Sequence, residues 1–231
     1  RGAQLLPRKT SSSKKPSLIE MLSDEASNTN VEQEKKSPHV ELKPSPDQYV
    51  SAEFLPALPG TTWKYLMNGS DASNVKVLSE VATVRGIETS IAVNENTGVS
   101  LCYTSDNDGI LIHRELFPKV YIQGFNTVDV IVTFVPPIRL ADGLVEVGQT
   151  AYSMGTAQYT LLPQKRVIDL DYTATYMLQT RKEVAVPAGS FVALVFKGTL
   201  TISGNLESEI LYISKGIGLV KNVVEFAGQK R

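Results

Sequence analysis

The sequence predicts a mainly β protein. We expect a twisted antiparallel sheet, open barrel or sandwich of about ten strands, preceded by a disordered N-terminal tail with one short helix. Two observations predict the sheet. From residue 61 onward apolar side chains recur mostly at every second position, and turn sequences such as Asn-Gly and Asp-Gly separate the apolar runs. A third observation predicts the tail: every aromatic residue lies from Tyr49 onward.

We assign residues 1–52 to the tail and residues 53–231 to a single β-rich domain. The tail is rich in Ser, Lys, Glu and Pro. Such a segment cannot bury enough apolar surface to offset the entropy lost on ordering, so we expect it to be disordered when alone. Its start is basic and its later part acidic. This split suits either a solvated linker or contact with charged partner surfaces.

One short stretch of the tail has a helical signature. Ser17 to Glu20 matches the S-x-x-E capping box, in which each side chain bonds an otherwise unpaired helix amide. The helix is predicted near residues 18–26, which is too short to be stable alone in water. It either docks in a partner's groove or forms transiently without a role. The tail residues predicted to bind a partner are the apolar Leu18, Ile19, Met21 and Leu22 and the basic Arg8, Lys9, Lys14 and Lys15.

The longest predicted strand spans residues 167–179, where Ile168 to Leu178 alternate with polar residues such as Asp169. Further strands are predicted at 62–67, 75–84, 87–93, 99–104, 110–116, 128–134, 149–161, 192–202, 210–213 and 219–226. Short turns between them indicate antiparallel neighbours. Pro136 and Pro137 are predicted to stop a ladder, because proline has no amide donor. They mark a crossover between two halves, which we favour as one domain.

Composition excludes several classes of function. A formal net charge of -1 argues against a globally basic nucleic-acid binder, and a single cysteine rules out a disulfide scaffold. No run of about 18 apolar residues is present to form a transmembrane helix.

The sequence also offers little catalytic chemistry. His113 is expected on the polar face of its strand, and Cys102 could meet it only across a hairpin. We therefore predict that the chain is not an enzyme. We predict no catalytic residue, no metal site and no cofactor.

Three motifs carry a resemblance over residues 59–226. They are G-x-x-W-x-Y at Gly60–Tyr65, V-P-A-G-x-F at Val186–Phe191 and G-x-G-L-V-K at Gly216–Lys221. The chain resembles a loose group of exported bacterial envelope proteins, many of them lipoproteins of unknown function. Related curved sheets include the lipoprotein-localisation carriers. The resemblance implies a periplasmic or outer-membrane-associated location, with peripheral or lipid-anchored membrane association.

Two functions remain open from the sequence. The first is a non-catalytic envelope interaction or scaffold protein, such as an accessory subunit of a larger envelope assembly, whose tail binds a protein partner. The alternative is a carrier or sensor of an apolar ligand, such as a lipid or acyl chain, held in a curved-sheet cavity. The candidate lining residues for that cavity are Tyr152, Tyr159, Tyr172 and Tyr176.

Overall fold

The computed structural model describes residues 17–24, 45, 47–67, 71–123, 126–226 and 229–230. They form one antiparallel sheet of twelve strands and a second sheet of two short strands, which confirms the predicted fold class. The elements in chain order are α1 (Leu18–Leu22), β1 (Gln48–Val50), a 3-10 helix (Ser51–Glu53), β2 (Thr62–Met67), β3 (Asp71–Val84), β4 (Ile87–Asn94), β5 (Ser100–Asp106), β6 (Gly109–Ile122), β7 (Asn126–Asp142), β8 (Leu144–Glu146), β9 (Thr150–Leu162), β10 (Arg166–Val186), β11 (Gly189–Ile202), β12 (Asn205–Ser214), β13 (Gly218–Phe226) and β14 (Gln229–Lys230).

The large sheet is a meander, because each strand pairs with the next one in sequence and only β8 is skipped. The two predicted halves are therefore parts of one sheet, joined where β7 pairs with β9. The prediction that Pro136 and Pro137 stop a ladder is confirmed, although β7 itself runs through both prolines. They lie where the β7–β9 ladder has ended at Val135 and where residues 134–137 have no partner in β6. An amide donor is not required at such an irregularity.

Alternation along β10 defines the two faces of the sheet. We call the face that carries the buried side chains of Tyr172, Ala174, Tyr176 and Leu178 the inner face. Its main core is formed by twenty buried residues: Phe54, Ile110, Val128, Val130, Val132, Phe134, Ile138, Leu140, Ala141, Val145, Ala157, Leu161, Tyr172, Ala174, Tyr176, Leu178, Leu194, Phe196, Leu211 and Ile213. The predicted alternation is thus confirmed across this strand.

The sheet curls until its first strand meets β13 near the opposite edge. Within the described residues no ladder joins these two strands, and side chains of β2 bond to backbone carbonyls instead. Trp63 Nε1 donates to the Ile217 carbonyl at 2.5 Å, and the Tyr65 hydroxyl donates to the Leu219 carbonyl at 2.8 Å. Gly218 permits this approach, since its φ is +98° and a Cβ there would lie 3.0 Å from the Trp63 ring. We call this junction the seam.

A short segment, residues 48–55, crosses one end of the curled sheet, and we call it the end strap. β1 pairs with β8, and Ser51 N donates to the Gly143 carbonyl at 3.0 Å. At its other end, Gly216 N donates to the Glu53 carbonyl at 2.7 Å. Phe54 inserts from the strap into the inner core, where it is 6% exposed. The strap therefore ties β8 to the β12–β13 turn.

The seam makes a testable contribution to stability. We expect Trp63→Phe to lower the free energy of unfolding by about 1 kcal/mol, because it removes the indole donor while keeping an aromatic ring. Chemical denaturation followed by circular dichroism measures the change. The matched control is Lys64→Ala at the neighbouring exposed position, which we expect to change stability by less than about 0.5 kcal/mol. Equal effects would show that the seam bond is not stabilising.

Candidate functional site

The N-terminal helix α1 forms through the capping box read from the sequence. Glu20 N donates to Ser17 Oγ at 3.2 Å, and Ser17 N donates to Glu20 Oε2 at 2.6 Å. The backbone bond from Ser17 also lowers the pKa of the Glu20 carboxyl, with a smaller effect from the serine side chain. The helix ends at Leu22 rather than near residue 26, because Ser23 adopts an extended conformation. Both hydrogen bonds join residues three positions apart, so neither depends on a tertiary contact.

This helix packs on the outer face of its own sheet. Leu22 is fully buried there. Its neighbours form what we call the outer patch, which consists of Ala82, Val84, Ile91, Cys102, Leu116 and Ile131. Leu18, Ile19 and Met21 are partly buried against the same cluster. The four apolar residues predicted to meet a partner therefore converge on an intramolecular site. Arg8, Lys9, Lys14 and Lys15 lie outside the described residues.

A buried arginine holds the end of the docked helix. Arg114 is 7% exposed and its Nε donates to Thr133 Oγ1 at 2.8 Å. Its Nη1 donates to the Leu22 carbonyl at 2.5 Å, and its Nη2 pairs with Asp24 Oδ1 at 2.5 Å. A cation near the carbonyl end of a helix is favourable, and a buried guanidinium requires such partners. Arg114 thus recognises both the helix terminus and a carboxylate two residues beyond Leu22.

The residues after the helix are fixed by backbone bonds to β3 and the turn that follows it. Asp24 N donates to the Thr83 carbonyl at 2.8 Å, and Thr83 N donates to Ser23 Oγ at 3.2 Å. Arg85 N also donates to the Asp24 carboxylate. The Asp24 carboxylate consequently accepts hydrogen bonds from both the Arg85 backbone amide and the Arg114 guanidinium. Sequence reasoning assigned no role to Arg114 or Asp24, because they are 90 positions apart and only the fold joins them.

The four predicted cavity tyrosines do not line one cavity. Tyr152 is 56% exposed and lies away from the inner core. Tyr172 and Tyr176 belong to that core, where their hydroxyls donate to the Pro136 carbonyl at 2.5 Å and to Glu209 Oε1 at 2.7 Å. Tyr159 packs against the core and is partly buried. Strand alternation separates Tyr152 from the other three residues, which corrects the predicted grouping.

The expected polar position of His113 is also corrected. It lies at a register shift in β6, is 2% exposed, and its Nε2 is 3.1 Å from Thr104 Oγ1. Burial lowers the pKa of His113 to about 4, against a smaller opposing effect of Asp106. Cys102 pairs in register with Arg114 rather than His113. Burial raises the pKa of its thiol to about 11, so it is protonated at neutral pH.

The carboxylates of Glu115, Glu207 and Glu209 lie inside the curled sheet. Burial, with a smaller contribution from the charges of Glu207 and Glu209, raises the pKa of Glu115 to about 7. Glu209 accepts from Tyr176 at 2.7 Å and from Asn222 Nδ2 at 3.1 Å, yet burial still raises its pKa. Mutual repulsion makes full ionisation of these carboxylates unfavourable. In the described part of the chain, no three His, Cys, Asp or Glu side chains are placed to hold a metal ion.

Comparisons with known proteins give no further assignment. No protein-family model, no curated protein and no solved structure matches this chain. Among the described residues, no helix is both long enough and apolar enough to cross a membrane.

The docked helix predicts a local loss of stability on truncation of Leu22. We expect Leu22→Ala to reduce the protection of the Asp24 amide against hydrogen exchange by about 2–3 kcal/mol, because the side chain is fully buried. Leu18→Ala, at a partly buried position of the same helix, is the control and should have a smaller effect. Unchanged protection in Leu22→Ala would contradict the docking described above.

The raised pKa of Glu115 predicts that the contribution of this group to stability falls as pH rises towards and through about 7. The folded state holds the proton more tightly than the unfolded state, so this contribution is complete below the unfolded pKa of 4.5 and is lost as pH rises through about 7. We expect the Glu115 contribution to the free energy of unfolding to drop by roughly 1 kcal/mol between pH 6.5 and 8. His113 opposes this slope, because its lowered pKa leaves the unfolded imidazole half protonated at pH 6.5, so the loss of that proton adds stability as pH rises.

Denaturation midpoints at pH 6.5, 7.2 and 8 measure the slope. Glu115→Gln should flatten it, leaving the smaller contributions of Glu207 and Glu209. Glu88→Gln, at an exposed strand position, should leave it unchanged. A slope that is the same in all three proteins would show that Glu115 is not the titrating group.

Proposed function

We propose that the chain is a non-catalytic interaction protein of the bacterial cell envelope. In this proposal the curled sheet is a rigid platform, and the N-terminal tail is the element that engages a partner. One observation carries it: the sheet holds a short helical peptide in a site formed by the outer patch and Arg114. The envelope location rests on the motif resemblance, and a role as an accessory subunit of a larger assembly would suit such a platform.

The docking site recognises three features of a peptide at once. The outer patch takes one apolar side chain at the end of a helix, as it takes Leu22. Arg114 takes the carbonyl of that residue, and with the Arg85 amide it takes a carboxylate two positions later. Apolar burial supplies affinity, while the charge-assisted bonds fix register and orientation.

The docked segment is suited to exchange. α1 has five residues and cannot be stable as an isolated helix, so it folds only against a surface that accepts it. A partner helix with the same features would replace it on the sheet, and the released segment would present the same apolar face to a groove on the partner. The basic residues Arg8, Lys9, Lys14 and Lys15 would add attraction to an acidic partner surface.

A peptide experiment tests the recognition site. The probe is a fluorescently labelled peptide with the sequence of residues 16–25, titrated with the full-length chain and followed by anisotropy. The wild-type site is occupied by its own segment, whereas Leu22→Asp releases that segment, so we expect at least about tenfold tighter binding to the variant. A peptide carrying the Asp24→Asn change should bind more weakly. Equal binding of the probe to both chains would overturn the site.

The interaction role is tested on proteins that co-purify with the full-length chain from its native membrane fraction. We expect Leu22→Asp, or reversal of the four basic tail residues to Glu, to reduce that association. Lys197→Glu, an exposed charge change on β11, is the control. Association that survives both tail changes would contradict a partner-binding tail.

A further inference from the structure

A separate cleft of about 560 Å³ opens beside the end strap, remote in sequence from α1. The β10–β11 hairpin and the β12–β13 turn form its other sides. The residues that matter for its chemistry are Tyr49, Glu53, Arg181, Val192, Lys215 and Ile217. Its volume lies in the range of sites that bind small or peptide ligands.

One wall of the cleft is the edge of a strand that has no strand partner among the described residues. β10 and β11 remain paired as far as Val186 and Gly189, but β12 pairs with β11 only from Ala193 onward. Residues 189–192 therefore have a ladder partner on one side only. Ser214 Oγ donates to the Val192 carbonyl at 3.0 Å, which shows that the backbone groups of Val192 point away from β10. By strand alternation those of Ser190 point the same way.

The cleft combines apolar surface with an unbalanced positive charge. Val192 is 48% exposed and Ile217 is 38% exposed, so both offer apolar area to a ligand. Lys215 Nζ lies 2.7 Å from Glu53 Oε2 and is thereby neutralised. Within the described ranges, the Arg181 side chain makes no hydrogen bond or ion pair, and its guanidinium is the remaining charge of the lining. An acidic group on the ligand would complement it.

We propose that this cleft binds an extended peptide segment of a partner protein, which adds as a strand to the free edge of β11. Its backbone pairs with Ser190 and with the amide of Val192, whose carbonyl already accepts from Ser214 Oγ. An apolar side chain contacts Val192 and Ile217, and an acidic side chain binds Arg181. The free edge spans four residues, about 13 Å, and so accommodates a short strand. The proposal goes beyond the helix-docking function and uses none of the residues of that site.

A strand explains the cleft better than a small anion does. A lone anion would use Arg181 but neither the unpaired edge nor the apolar surface. A second copy of this chain would need to present its own free edge in register, so dimerisation is an outcome that the test distinguishes. Exposed strand edges are the sites at which extended segments add.

The probe is a labelled pentapeptide of sequence Val-Thr-Glu-Thr-Val, which places valine and glutamate on one face because Arg181 and Val192 share a face of the sheet; it is titrated with the full-length chain and followed by fluorescence anisotropy. We expect Arg181→Glu to weaken binding about tenfold, and a lysine-for-glutamate peptide to bind the wild type correspondingly weakly. Lys197→Glu, a charge reversal at an exposed position of the neighbouring strand β11, should have little effect. Binding that ignores both charge changes would overturn the role of Arg181.

The strand geometry is tested by removing backbone donors. Val192→Pro deletes one amide that points into the cleft, whereas Val192→Ala keeps it, so we expect the proline variant to bind about tenfold more weakly than the alanine variant. Circular dichroism confirms that both are folded. A peptide N-methylated at alternate amides gives the same comparison without altering the protein. If it binds as tightly as the parent peptide, strand addition is wrong.

Two further measurements separate this proposal from other outcomes. Leu22→Asp should bind the pentapeptide as the wild type does, because the helix site is not involved; loss of binding would mean that the two sites are one. Sedimentation over a range of concentrations detects self-association. Dimers that dissociate on Arg181→Glu, with no peptide binding, would assign the cleft to a second copy of the chain and overturn the proposal.

Discussion

A single meandering sheet with apolar side chains on both faces must cover both faces, and this constraint organises the molecule. The inner face is covered by curling the sheet upon itself, which brings β2 to β13 at the seam. The outer patch is covered by α1. The end strap covers one open end with Phe54. Each of these elements covers only part of one face, because a continuous sheet cannot bury both of its faces at the same place by bending.

Burial of Arg114 gives the outer cover its specificity. A guanidinium removed from water requires acceptors, and Leu22 and Asp24 supply two of them. Release of the segment would leave that charge unpaired unless water or another carboxylate replaces Asp24. A partner that displaces α1 must therefore bring an acceptor as well as an apolar side chain. Because Arg114 requires an acceptor, both the docking of α1 and its replacement by a partner segment are selective.

The two proposed binding sites bind their ligands through different kinds of interaction. At the outer patch a formed helix presents side chains and a terminal carbonyl, so recognition depends on burial and on charge-assisted bonds. At the end cleft the sheet offers unpaired backbone groups, so recognition depends on extending the ladder. Because they share no residue, a partner could engage either site alone or both sites together. The carboxylates of Glu115, Glu207 and Glu209 lie inside the sheet and tune its stability with pH.

The sequence by itself determined whatever depends on neighbours along the chain. The alternation in β10 and the capping box of Ser17 and Glu20 are local patterns, and both are present in the structure. Tertiary structure decided which surfaces meet. The pairing of Arg114 with Asp24 and the cleft beside Arg181 join residues that are distant in sequence. The burial of His113 and the continuation of β7 through its prolines depend on register shifts. Periodicity specifies which side of a strand a residue faces, but it does not specify what the fold places opposite that residue.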